Sequence, residues 1–133
     1  MSLLLYRTGE IELLKGLITD PLTMRLFTNS VIPLKNSGFS SFNEVQGSGY
    51  SSKILTTFSW KFIEENAKIG LEYSKQSYLF LGPVDKGIYG YYITKKIKSK
   101  DIVMWAERFV DPPYNILNNG DKIEIIPKIL TGM

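Results

Sequence analysis

The chain contains neither cysteine nor histidine. The first absence excludes disulfides and thiolate zinc sites. The second removes the commonest general base and metal ligand. Together they exclude most hydrolase, nucleophile and transition-metal mechanisms, so a non-enzymatic role is expected, with no catalytic residue, no cofactor and no metal ligand assigned. No apolar run approaches the roughly 20 residues needed to span a bilayer, and no membrane partner is expected. The opening stretch, MSLLLYRTGEIELL, has no basic residue before its leucines and no small-residue cleavage site. It fails as a secretory signal, and the product is expected to stay in the cytoplasm or to be assembled there.

What is present suits an ordinary globular domain. At 133 residues, with 44% hydrophobic and 13% aromatic side chains, residues 1–133 are expected to form one folding unit with one core. The formal charge of +3 is too small, spread over a whole domain, to steer anions strongly.

Hydrophobic periodicity divides the chain into one helix followed by strands. Ile11, Leu14 and Ile18 recur at helical spacing, Glu10 and Glu12 precede Lys15, and Pro21 stops extension, which predicts a short helix from Gly9 to Ile18. A strand follows over Thr23 to Asn29. Ser41 and Glu44, at capping-box spacing, predict one helical turn in SSFNEV. Phe58, Trp60 and Phe62 alternate with polar neighbours, as do Ile69, Leu71 and Tyr73, and each set predicts a strand with one buried face. Ser77 to Leu81, GIYGYYITKK, DIVMWAERFV and GDKIEIIPKIL supply further short strands, and Asn119-Gly120 marks a turn. Short strands about ten residues apart, without long helices between them, predict a mainly β protein. The expected architecture is a single antiparallel β-sandwich or jelly-roll-like domain with one short N-terminal helix.

Four motifs could carry chemistry. KGIYGYYITKK, from Lys86 to Lys96, approaches the basic-Gly-aromatic pattern of an RNA-binding strand, with Tyr89 and Tyr91 two apart and so on one face. That module needs two amphipathic helices behind its sheet, and the chain has one short helix far upstream. The tyrosines are therefore read as core plus surface, and nucleic acid is not expected as a partner. QGSGYSSK lacks phosphate-loop spacing, and its Gly47 and Gly49 are read as a corner with positive φ. Glu64, Glu65, Asp111 and Asp121 fit solvated turns better than an acid/base pair or a calcium loop. DPPY, from Asp111 to Tyr114, is read as a rigid corner.

The remaining feature is an apolar arm within residues 1–8. Leu3, Leu4, Leu5, Tyr6 and Arg7 complete no visible element, so the arm either tucks into the core or reaches onto a neighbouring subunit. These five residues are the candidate interface.

The succession ELLKGLI, RLFTN, IPL, GSGY, a mid-chain tryptophan, IYGYYI, WAERF and NGDKIEIIPKI, covering nearly the whole chain, resembles small virion structural proteins of tailed bacteriophages, including phages of cyanobacteria and marine bacteria. The resemblance implies a β-rich accessory protein that decorates or cements the capsid, located in the virion and assembled in the host cytoplasm. Its implied partner is the major capsid protein of the same particle, and a homo-oligomer, trimer or dimer, is expected. A tail, adsorption or head-to-tail component binding glycan or receptor is the alternative. The resemblance brings no catalytic or binding residues with it.

Overall fold

The computed structural model describes residues 6–131. It is mainly β, with 40% strand and 13% helix, one helix and antiparallel sheets in a sandwich-like arrangement. Helix α1 runs Arg7–Leu17, with Glu10 in its first turn and Lys15 in its last, as the helix dipole favours. It starts two residues earlier than the periodicity predicts because Arg7 is itself held in place. Its guanidinium donates to the Ala67 carbonyl at 3.0 Å and pairs with Glu64 at 3.3 Å and Glu10 at 3.4 Å. The buried face carries Leu14, with Ile11, Leu17 and Ile18 packed beside it.

Among the described residues nine strands follow: β1 (Leu22–Phe27), β2 (Lys53–Leu55), β3 (Lys61–Glu65), β4 (Lys68–Glu72), β5 (Gln76–Leu79), β6 (Gly90–Ile97), β7 (Lys100–Arg108), β8 (Lys122–Ile125) and β9 (Lys128–Leu130). They form a four-stranded sheet in the order β2-β1-β6-β7, a three-stranded sheet β3-β4-β9 and a pair β5-β8. Every pairing is antiparallel. Leu22, Met24 and Leu26 of β1 and Tyr91 and Ile93 of β6 meet Ile69 and Leu71 of β4, Tyr78 of β5 and Ile123 and Ile125 of β8 in one core. Burial of each such side chain contributes about 1.5–3 kcal/mol.

The hairpins β3-β4 and β6-β7 close through two residues each, Asn66-Ala67 and Lys98-Ser99, all four with positive φ between 51° and 67°. Two consecutive left-handed residues give the turn whose twist matches that of the flanking strands. Neither turn contains glycine, so neither announces itself in the sequence.

Two sequence expectations are overturned. SSFNEV does not form a turn capped by Ser41 and Glu44. Instead a 3-10 turn occupies Phe39–Ser41, where the Gly38 N–H donates to Ser41 Oγ at 3.1 Å. Glu44 is drawn away, accepting from Arg25 Nη1 at 3.0 Å. Nor do Phe58, Trp60 and Phe62 lie on one strand. Thr57–Ser59 is a 3-10 turn and β3 begins only at Lys61. The hydroxyls of Thr56 and Ser59 pair at 3.1 Å and stabilise the turn against extension.

The four-stranded sheet is covered on its second face as well. There Phe27, Phe42 and Tyr92 form a smaller core beneath residues 29–44, with Phe42 stacked on Tyr92 at a centroid separation of 4.7 Å. Gly90 lets this packing close, because a Cβ there would run into the Glu107 carbonyl oxygen and come within 2.7 Å of the Phe27 ring. Gly90→Ala is therefore expected to destabilise the fold by about 1–3 kcal/mol, read as a lower midpoint in thermal unfolding followed by circular dichroism.

Candidate interaction surface

On the second face of the sheet a polar chain runs through the aromatic cover. Arg25 Nε donates to Thr94 Oγ1 at 3.0 Å, its Nη1 donates to Glu44, and its Nη2 lies 3.6 Å from Asp101. Tyr50 donates its hydroxyl to the second oxygen of Glu44 at 2.7 Å and accepts from the Leu26 N–H at 3.0 Å. Burial first, and then the hydrogen bond to Glu44, push the Tyr50 hydroxyl far above its ordinary pKa. It stays a neutral donor through the physiological range, which keeps the chain satisfied.

Beside this chain lies an open cleft of about 730 Å3 lined by Asn43, Glu44, Gln46, Ser48, Asp85 and Lys86, among others. One wall is the glycine-rich corner. Gly47, Ser48 and Gly49 all have positive φ (82°, 53° and 77°), as expected of the two glycines. Ser48 holds the corner to the opposite wall by donating to the Pro83 carbonyl. The lining is polar and carries both signs of charge.

The structure takes apart the other sequence motifs. Tyr91 and Tyr92 point to opposite faces of β6 and are both buried, while Tyr89 is half-buried with the Arg108 guanidinium 5.1 Å from its ring centroid. Tyr89 and Tyr91, expected on one face, are in fact on opposite faces, Tyr91 in the main core and Tyr89 against the Phe27, Phe42 and Tyr92 cluster, so they form no common stacking platform. Glu64 pairs with Arg7, Glu65 accepts from Lys128 Nζ at 2.9 Å, and Asp121 caps the N–H groups of Leu117 and Asn118 at 3.0 Å. Among the described residues no group of acidic side chains is placed to hold a metal ion. DPPY is a corner, with Tyr114 stacked on Phe109 at 4.6 Å.

Of the candidate interface residues, Leu3, Leu4 and Leu5 lie outside the described residues. Tyr6 is 71% exposed at the start of α1. Arg7 directs its guanidinium along the surface onto Glu10, Glu64 and Ala67, and so ties the base of the arm to the β3-β4 hairpin.

The side chain that sequence reasoning missed is Phe58, which is 97% exposed. Two positions later Trp60 is only 8% exposed, edge-on to Tyr73 at 5.0 Å and to Trp105 at 6.0 Å. The turn between them is fixed. The Thr56 N–H donates to the Tyr73 hydroxyl at 3.0 Å, the Ser59 N–H to the Thr56 carbonyl at 3.3 Å, and the Thr57 hydroxyl to the Thr19 carbonyl at 3.4 Å. Phe58 is thus an apolar ring presented to solvent on an anchored backbone, flanked along the chain by exposed Ile54 and Phe62. A ring held this way surrenders little conformational entropy when a partner covers it.

The chain matches no family model, no curated protein and no solved structure. Its functional reading therefore rests on its own geometry and on the resemblance of its segments.

The burial of Tyr91 has a direct test against base stacking. Wild-type protein is expected to show no salt-sensitive binding to single strands, and Tyr89→Ala with Tyr91→Ala is expected to lower the melting temperature. Micromolar or tighter affinity in a fluorescence titration at about 0.15 M salt would reject this assignment.

Proposed function

We propose that the protein is a non-enzymatic virion component, a capsid-associated protein of the decoration or cement type that stabilises contacts between shell subunits. The observation that carries the reading is the solvent-facing Phe58 on its anchored turn. Protein interfaces draw most of their free energy from a few aromatic or arginine anchors that a partner desolvates, surrounded by contacts of little individual weight. A cement protein works by supplying such anchors many times over one shell, so that weak contacts sum through multivalency. The absence of histidine and cysteine and the phage-like succession of segments support the same reading. On this proposal the partner is the major capsid protein and the protein resides in the particle, assembled in the host cytoplasm.

A second reading, a tail or adsorption component that binds glycan, draws support from the polar cleft. Amide, carboxylate and hydroxyl groups on both walls offer the mixed donors and acceptors that a polyhydroxylated ligand needs. Copy number separates the two roles, since a shell protein is present in hundreds of copies and a tail protein in far fewer.

For the cement role, Phe58→Ala is expected to weaken binding to capsids by at least about 2 kcal/mol, close to thirtyfold, while changing the stability of the isolated protein by no more than about 0.5 kcal/mol. Sedimentation of labelled protein with purified capsids measures the first quantity and denaturant unfolding the second. Unchanged capsid binding would remove Phe58 from the interface.

Deleting residues 1–6 is expected to leave the melting temperature of the isolated domain nearly unchanged and to reduce retention on particles. A loss of several degrees in scanning calorimetry would instead assign the leucines to the protein's own core.

A further inference from the structure

The edge strands of this molecule are not equally protected against pairing with another chain. β2 and β9 are three residues long. β3 carries Lys61, Glu64 and Glu65 among its five residues, and β5 and β8, the two-stranded pair, are four residues each, with Lys122 and Glu124 on β8. Short length and charge are the usual means by which sheet edges avoid association. β7 has neither. At nine residues it is the longest strand, it lies at the edge of the four-stranded sheet, and its centre from Ile102 to Ala106 is uncharged and free of proline. Among the described residues its main chain bonds only to β6, so the groups on its other side have no main-chain partner among them.

The β6 register fixes which side chains share a face of β7. Asp101, Val103, Ala106 and Arg108 lie opposite Lys96, Thr94, Tyr92 and Gly90 on the outer face. Lys100, Ile102, Trp105 and Glu107 lie opposite Ile97, Lys95, Ile93 and Tyr91 on the core side. Met104 is the extra residue where the register shifts. The outer charges are engaged, Asp101 with Arg25 and Arg108 with the Val31 carbonyl and Ser30 hydroxyl. Lys100 and Glu107 have no ion-pair partner among the described residues, although Glu107 lies close to the Tyr91 hydroxyl.

We infer that β7 pairs antiparallel with β7 of a second copy of this chain about a two-fold axis, joining two four-stranded sheets edge to edge. Such an axis, perpendicular to the sheet, keeps the core-side residues of one copy beside those of the other. With Val103 on the axis facing its own mate, and Met104 bulged in both copies, Ile102 falls opposite Trp105 and Lys100 opposite Glu107. The Ile102–Trp105 and Lys100–Glu107 contacts each occur twice. The strand is therefore self-complementary in the register that also joins its two unpaired charges, and apolar and opposite-charge pairs facing each other across strands are what stabilise a ladder. The inference concerns the subunit alone and holds wherever the protein works.

Charge exchange tests it. Sedimentation equilibrium of the full chain is expected to show a dimer. Lys100→Glu sets glutamate against glutamate twice per dimer, Glu107→Lys sets lysine against lysine, and each is expected to raise the dimer dissociation constant by about tenfold or more. The double variant, which restores opposite charges with their positions exchanged, is expected to recover most of the loss. Val103→Lys, with like charges meeting on the axis, is expected to be monomeric with an unchanged far-ultraviolet circular dichroism spectrum. A monomeric wild type, a trimer, single reversals without effect, or a double variant no tighter than the singles would each overturn the proposal.

Discussion

Tyr91 and Ile93 enter the main core, while Tyr92 and Thr94 of the same strand are buried on the opposite face. A strand buried on both faces needs a layer on each side, and most of the architecture answers that requirement. β4, β5, β8 and α1 supply one layer. The other is not a sheet at all but residues 29–44, which reach across with Phe39 and Phe42 and are fastened through Arg25 and Glu44. Arg25 can be partly buried there because its three nitrogens are distributed over Thr94, Glu44 and Asp101. A guanidinium so screened is stabilising only when its charge is compensated, as it is here by two hydrogen bonds and the Asp101 carboxylate.

Where one face of a strand was buried and the other wet, the sequence was easy to read. Ile69, Leu71 and Tyr73 alternate with polar residues and are buried as the pattern requires. The same rule misled at Phe58, because alternation describes which residues could share a face and does not say whether the backbone is extended. The Thr56–Ser59 hydroxyl pair settles the backbone locally, and it is a tertiary contact with Tyr73 that holds it. Ser41 and Glu44 failed for a related reason. Their spacing suits a cap, but Arg25, distant in sequence, competes for the carboxylate and prevails.

The candidate interaction sites were legible to the degree that they are local. An apolar arm can be seen in three adjacent leucines. An exposed phenylalanine cannot, since its type and neighbours argue for burial. The exposed edge of β7 is further still from the sequence, because strand order decides which strand lies at the rim. β6 and β7 have similar apolar content, yet β6 is enclosed between β1 and β7 while β7 ends the sheet.

The cover over the second face differs in kind from the sheet beneath it. It has no continuous ladder. A bridge between Phe27 and Glu44 and Thr28 and Asn43 joined through main-chain and hydroxyl bonds attach it at one end, and Arg108 donating to Val31 and Ser30 attaches it near the other. A segment tied at a few points opens at lower free energy than strands bonded residue by residue. The architecture therefore implies two tiers of cooperativity. Amide protons of the central ladder are expected to exchange only through global unfolding, and those of the cover through a local opening that bares Phe27 and Tyr92 while the sandwich stays intact.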